Sequence, residues 1–476
     1  MPLADLPTPA LKSATPSPTT SQTTCALTLA QLDFWEEFCF HPDQPISTVA
    51  HGIEITGPAD PDALAKAIAQ TAREADVLAL RFIRPPHDEK NAAPMQVVDP
   101  ARRPELHEMD LRDRADPEGL ARAVMQADIN APLDLARDPL SAQWLLRLGE
   151  ARWIWYARGH HIILDGYSMA LLEQRCATLY AHFIGRGPAG EPLKPFTAYL
   201  EEEEAYRASP RHAKDQAFWR DQLTASTSAA LPVLQKGGET YGGEMLEAEI
   251  ALPEAMPAAL HALSAQTAIN WPDLLTLLSG AYLSSCLTLP DQPPADIGRG
   301  LAIWLPYMSR LGSVSAAIPA LVVNILPLMV QVDPEETLER FLMRQGALLR
   351  RIRRHGRCRI EQIAADHGLG RGQRFFFSPL VNVLPFDPPV FPDCTVEREV
   401  LAAGPGDGFN MTFAARSDGH GLHLCLEADP AITSAQAFAR HSEALPAFLK
   451  AALAPHAGTR LIADLLPRHS DHPFEA

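Results

Sequence analysis

The stretch RGHHIILDGYSMALL, Arg158 to Leu172, decides how this chain is read. It leaves an aromatic, β-branched segment, RWIWYARG (Arg152–Gly159), that predicts a strand, and passes two histidines, three apolar residues, an aspartate and a glycine. Beyond them Leu172, Cys176, Leu179 and Phe183 form one apolar stripe, which predicts a helix from about Ser168 to Phe183. The histidine pair therefore sits in a strand-to-helix turn. Consecutive strand residues point to opposite faces, so His160 and His161 do not readily share a metal ion. Zinc would need further ligands at suitable spacing, and the nearest group, DGHGLHLC (Asp418–Cys425), reads as a hairpin turn, so no metal is expected. A His161–Asp165 catalytic pair meets a distance problem, because four extended residues span roughly 13 Å. Asp165 is better read as anchoring the loop through a basic residue elsewhere, with Gly166 permitting a tight turn.

At 476 residues the chain exceeds the about 100–200 typical of one domain, so two or three packed units are expected. The formal net charge of -17 repels phosphate backbones, which argues against a nucleic-acid partner. Seven scattered cysteines, an odd number with no CxxC, give neither a disulfide framework nor a zinc site and fit a reducing cytoplasm. The first 24 residues are rich in Pro, Ser and Thr and lack the apolar core of a secretory signal. The most apolar run, Ile318–Val332, is broken by Asn324 and Pro327 and is too short to span a bilayer, so no membrane role is expected.

Thr28 can cap a helix carrying Gln31, Phe34, Trp35 and Phe38 on one face; Val49–Gly57 alternates as a strand, and a helix through Leu64, Ile68 and Ala72 follows. Ser226–Met245 loses periodicity and gains glycine, and reads as a crossover between two α+β halves. The second half predicts strands at Leu246–Ala251, Gly300–Leu305, Leu321–Val332, Leu380–Leu384 and Leu422–Leu426. Its helices are expected near Glu254–Thr267, Trp271–Cys286, Glu336–Arg354 and Ser434–Leu453. The organisation expected is a tail over 1–25, a first unit over 26–225 carrying the histidine pair, a second over 226–467 and a short tail over 468–476, with a cleft between the units. GRGPAG (Gly185–Gly190) matches the letters of a dinucleotide motif but follows a helix rather than a strand, so it reads as a loop. There is no Walker A sequence, no H-E-x-x-H and no G-x-S-x-G elbow, which argues against a serine acyl-enzyme.

His160, His161, Asp165 and Gly166 compose H-H-x-x-x-D-G, and the pattern resembles the signature of nonribosomal peptide synthetase condensation domains, relatives of chloramphenicol acetyltransferase. LTLAQLDFW resembles the family's opening helix motif, and READVLALRF (Arg73–Phe82) a diverged second motif, with Arg73-Glu74-Ala75 where the family has R-H-E. MSRLGS (Met308–Ser313), VVNILPL (Val322–Leu328), SPLVNVLPFD (Ser378–Asp387) and LAAGPGD (Leu401–Asp407) resemble condensation domains of enterobactin-type siderophore synthetases. Ala320 stands where the family commonly has glycine before the Asn324 strand.

The resemblance implies an α+β fold of two acetyltransferase-like subdomains in a V-shaped pseudo-dimer with a central substrate tunnel. It implies an acyltransferase that takes an acyl group from the phosphopantetheine arm of a carrier protein and gives it to an amine, less often a hydroxyl. No bound cofactor is implied. His161 is the expected catalytic residue with His160 beside it, and backbone N–H groups at Gly166 and near Ser168 are candidates to hold the oxyanion. Asp165 is expected to pair with Arg310. Ser168, Asn324, Ser378 and Asn382 are candidate tunnel residues. The basic helix LLRRIRRHGRCR (Leu348–Arg359) offers Arg350 and Arg354 as a dock for an acidic carrier protein, or is simply a solvated face. With no adenylation core or carrier domain in the chain, a free-standing enzyme is expected. The alternatives are a coenzyme A-dependent acyltransferase of the same superfamily and a catalytically silent scaffold that binds carrier proteins.

Overall fold

The computed structural model describes residues 24–85, 93–226, 235–236, 245–287, 300–368, 375–404 and 408–467. Most of both expected tails and of the glycine-rich segment 226–245 lies outside them. The aromatic segment before the histidine pair is strand β7 (Arg152–His160). It is the middle strand of a five-stranded sheet ordered β14 (Thr395–Ala403), β2 (Thr48–Thr56), β7, β6 (Ser141–Gly149), β5 (Leu106–Asp110). Both faces of β7 are covered, which explains its unbroken apolar run. Trp153, Trp155 and Ala157 join the core beneath helices α1 (Leu29–Phe40), α2 (Pro61–Glu74) and α4 (Gly166–Phe183). Ile154 and Tyr156 face the opposite core, under α3 (Pro117–Ile129).

Local signals set the helix starts. Thr28 and Gln31 form a reciprocal capping box on α1, with Thr28 Oγ1 accepting from Gln31 N at 3.2 Å and Gln31 Oε1 from Thr28 N at 2.9 Å. α2 combines an Asp60 cap with Pro61 in its first turn. A small sheet of β1 (Cys25–Ala26), β4 (Met95–Val98) and β3 (Leu80–Ile83) borders this half. From α4 the chain continues through α5 (Phe196–Arg207) and α6 (Pro210–Ser226).

The second half is built on a six-stranded sheet ordered β11 (Asn324–Val330), β10 (Leu301–Tyr307), β13 (Leu380–Pro385), β15 (Phe409–Ala415), β16 (His423–Ala428), β9 (Leu246–Ala251). β11 is an edge strand, and there Pro327 removes no needed ladder bond. DGHG turns between β15 and β16, with Gly419 and Gly421 at positive φ, as the hairpin reading required. α7 (Met256–Thr267), α8 (Trp271–Cys286), α9 (Leu338–Arg354), α10 (Ile360–Asp366) and α11 (Ala435–Ala452) complete this half. α8 is apolar nearly all round because it is buried nearly all round. β8 (Gln235–Lys236) pairs with β12 (Phe375–Phe376).

The two halves exchange pieces. β14 comes from the second half of the chain yet closes the edge of the first sheet, running antiparallel to β2 from Thr395 opposite Thr56 to Ala403 opposite Val49. Ile318, Ala320, Val322 and Phe391 pack into the first core, and Trp219 and Leu223 of α6 into the second. β14 is absent from the strands expected above; its charged, alternating TVEREVLAA gave a weak apolar signal because an edge strand buries one face only partly. Among the described residues, no helix is long and apolar enough to cross a membrane.

Candidate active site

His160 ends β7 and donates its backbone N–H to Leu140 O at 2.9 Å. Its Nδ1 accepts from Ile162 N at 3.1 Å, while Ile163 N and Leu164 N bond its carbonyl. Burial, then His161 and Arg158 beside it, hold the ring down to about 3, so His160 stays neutral. This corrects the expectation of a catalytic His160: the ring is an internal part of the turn that delivers its neighbour.

His161 is only half-buried. Its backbone N–H donates to Ser47 O at 2.6 Å, and Ser47 Oγ bonds the Glu37 carboxylate of α1. The imidazole lies flat against Phe34, ring centroids 4.9 Å apart at 15°. Nδ1 is buried with no hydrogen-bond partner, and among the described residues Nε2 has none either. Desolvation pushes His161 below the ordinary histidine range; Asp165, the backbone at His161 and Leu164, and Glu37 oppose that without reversing it. The result at neutral pH is an uncharged imidazole able to accept a proton.

Asp165 does not reach His161 as a catalytic partner. It caps α4 through Ser168 N at 2.9 Å and meets Arg310 Nη2 at 2.8 and 2.9 Å. Val322 N and Val323 N each donate to Oδ2 at 2.9 Å. Arg310 also donates to the carbonyls of Ser315, Ile318 and Ala320. Burial would raise the Asp165 pKa, but Arg310, Ser168 and the two valine amides together hold it below the usual carboxylate range. Tyr167 covers the pair from outside, its ring 4.6 Å from the Arg310 guanidinium and its hydroxyl on Ala316 O.

Several sequence expectations change here. Ser168 is fully buried, its N–H taken by Asp165 and its hydroxyl shared with Asp165 and Ala320 O, so it neither lines a tunnel nor offers an oxyanion donor. Gly166 adopts ordinary helical backbone and a Cβ there would meet nothing within 4 Å, so a tight turn is not what it serves. Its place is instead an open approach to the start of α4, where the N–H groups of Gly166 and Tyr167 are the ones left without a partner among the described residues. Asn324 is buried and holds Gly356 O, Cys358 O and Ile360 N, and Ser378 Oγ accepts from Phe409 N. Both side chains are thus engaged by backbone groups, and Asn324 also lines a small cavity with Tyr199, Val322 and Arg359. Asn382, on β13, is partly exposed and its side chain makes no hydrogen bond among the described residues. Arg350 and Arg354 lie on the exposed face of α9, distant in sequence and element from the histidines.

Two groups at the site escaped the sequence reading. Phe34 was assigned to the buried face of its helix, and nothing local marks it as the ring beneath His161. Gly404, at the end of β14, has φ +92° and stands so close that a Cβ would lie 2.6 Å from His161 Cδ2. Only the crossing of β14 into the first sheet brings it there.

Residues 21–400 match the family model described as the condensation domain. The fold superposes on VibH, a nonribosomal peptide synthetase condensation enzyme, with a TM-score of 0.79 and 34% identity over 90% of this chain and 96% of that one. It also matches a mutant starter condensation domain of rhizomide synthetase RzmA solved with C8-CoA, at TM-score 0.76 and 28% identity over 93% of this chain and 97% of that one. Enterobactin synthase component F of Escherichia coli is 32% identical over 380 residues, 79% of this chain but 28% of that protein, so the chain spans less than a third of its length. Two α+β halves locked by a shared strand, with an HHxxxDG turn between strand and helix, are the pseudo-dimer of the chloramphenicol acetyltransferase type. The chain belongs to the condensation domain family, acyltransferases that form amide bonds in nonribosomal peptide synthesis.

Proposed function

We propose that this chain transfers an acyl group from a carrier protein's phosphopantetheine thioester to an amine brought against His161. The observation that carries this is the neutral, half-buried imidazole that no side chain hydrogen-bonds, in the turn that leads into the open N–H groups of Gly166 and Tyr167 at the start of α4. The amine nitrogen attacks the thioester carbonyl carbon, and the N–H groups of Gly166 and Tyr167 stabilise the oxyanion. His161 takes the proton lost by nitrogen and returns it as the C–S bond breaks, giving an amide and a pantetheine thiol. Holding the two reactants together lowers the barrier further. Burial, helped by Glu361 on α10 and Glu37 and Glu36 on α1 and opposed by Arg359, raises Asp33 to about 8, so Asp33 stays protonated at neutral pH while Glu36 and Glu37 keep this side of α1 acidic. That favours an amine over an anionic acceptor; a hydroxyl acceptor, giving an ester, is the lesser case. The likeness to enterobactin synthase component F supports a siderophore-like product.

Carrier docking is assigned to α9, which exposes Arg340, Met343, Ala347, Arg350, Arg351 and Arg354 along one face. Among the described residues no ion pair engages Arg350 or Arg354, which leaves them available to an acidic carrier. Coenzyme A as donor is the second reading, favoured by the C8-CoA held in the rhizomide synthetase relative. Intact-protein mass spectrometry separates these. Acyl-loaded holo-carrier or the matching acyl-CoA is mixed with enzyme and a panel of amines and alcohols, with wild type and His161→Ala in parallel. Acyl loss from carrier with a matching amide, abolished in the variant, is the expected result. Turnover of acyl-CoA alone moves the assignment to the second reading, and carrier binding without any acyl loss leaves a scaffold.

A further inference from the structure

We infer that Phe34 and Gly404 are the positioning residues of the reaction: a clamp that fixes the His161 imidazole by packing, because no side chain orients it through a hydrogen bond. The inference rests on His161 being the group that handles the proton. An imidazole used as a base is usually oriented by a bond on its second nitrogen. Here Nδ1 is buried with no side-chain partner, only the backbone of His161 and Leu164 lying near the ring, and the carboxylate of the motif, Asp165, is fully engaged by Arg310, Ser168, Val322 and Val323. The ring must therefore be held by shape.

Two contacts supply that shape from opposite ends of the sequence. Phe34, in the second turn of α1, stacks on the imidazole face at 4.9 Å and 15°. Gly404, following β14, closes on the Cδ2 edge, where a Cβ would sit 2.6 Å from Cδ2 and 3.4 Å from Nε2. Its φ of +92° independently disfavours any other residue. The backbone entry to the ring is fixed as well, through His161 N on Ser47 O and Ser47 on Glu37 of the same helix α1. β14 is held against the first half by its pairing with β2 and by Arg398, whose guanidinium grips Glu173 of α4 at 2.6 and 2.8 Å. The second half of the chain thus sets the aim of a histidine that the first half carries.

The two members of the clamp act on opposite sides of accessibility, and that separates positioning from general damage. Phe34→Leu removes the flat support and frees the ring; Gly404→Ala crowds Nε2. Carbethoxylation of His161 by diethyl pyrocarbonate, read by site-resolved mass spectrometry, should speed up in Phe34→Leu and slow down in Gly404→Ala. Both variants should lose kcat with little change in KM for the acyl-loaded carrier, about tenfold for Phe34→Leu and about 100-fold for Gly404→Ala, the scale of a misplacement near 1 Å. Phe34→Tyr keeps the flat ring and should restore kcat. Unchanged carbethoxylation in both variants overturns the clamp whatever the activity does, and so does Phe34→Leu with wild-type kcat. If Gly404→Ala does not fold, the Leu and Tyr variants at Phe34 decide alone. His161→Ala is run beside them: full turnover in that variant removes His161 from the chemistry, while the carbethoxylation rates still judge the clamp.

Discussion

Asp165→Ala should destabilise the protein more than it disarms it, and the structure sets the size. Both partners of the Asp165–Arg310 pair are buried, their side chains 2% and 4% exposed. Removing the carboxylate leaves a buried guanidinium with neutral partners only, the carbonyls of Ser315, Ile318 and Ala320 and the Ser168 hydroxyl, a change that typically costs about 3–5 kcal/mol. Loss of the α4 cap adds about 1 kcal/mol. Val322 N and Val323 N lose their acceptor too, at about 1–3 kcal/mol for each group that water does not reach. Because these losses overlap, about 5 kcal/mol is expected. Arg310→Ala is milder, about 3 kcal/mol, since the remaining carboxylate keeps the donors Ser168 N, Ser168 Oγ, Val322 N and Val323 N. Urea unfolding at neutral pH, followed by tryptophan fluorescence, gives both values beside a turnover assay. An Asp165→Ala protein within about 1 kcal/mol of wild type, or an Arg310→Ala protein that is the less stable of the two, refutes the reasoning. Wild-type stability with lost turnover would give Asp165 a direct part in the chemistry.

Acid should unfold this protein earlier than its carboxylates alone require. Burial holds His160 at about 3 and His441 at about 4, below their unfolded value near 6.5, so their contribution is complete above that value and fades as pH falls towards 4. At pH 5 the loss is about 2 kcal/mol apiece, and in urea titrations at pH 7.5 and 5 His441→Gln should remove its share of the difference. If neutral His161 accepts the proton, kcat should hold on the acid side to a pH below the ordinary histidine range, because burial lowers that group too; a fall centred at or above 6.5 counts against it. Charge reversal of Arg350 and Arg354 should raise the KM for carrier-bound donor and leave kcat alone, with an unchanged KM returning them to a solvated face. Arg398→Ala should cost about 3 kcal/mol by stranding the buried Glu173 carboxylate with His51 as its remaining partner, read in the same urea titration.

By itself the sequence determined what depends on near neighbours. The capping box of Thr28 and Gln31, the start of α8 at Trp271, the arginine face of α9 and the strand–turn–helix around His161 are set within a few residues. Their periodicity and capping chemistry can be read directly. The HHxxxDG letters carried the family, and through it the partnership of Asp165 with Arg310, 145 positions away. What only the tertiary structure decided is which side chains meet across the seam between the halves. Ser168, Asn324 and Ser378 are polar residues in family-like motifs, yet their groups are used up in the interior by backbone partners that the sequence does not display. Phe34 reads as one more apolar position on its helix, and Gly404 as one glycine among several in a turn. They become the walls around His161 because β14 leaves its own half and pairs with β2. That pairing rests on backbone hydrogen bonds available to any strand of the right length, so no residue type announces it, and the aim of the histidine is settled only when the sheet closes.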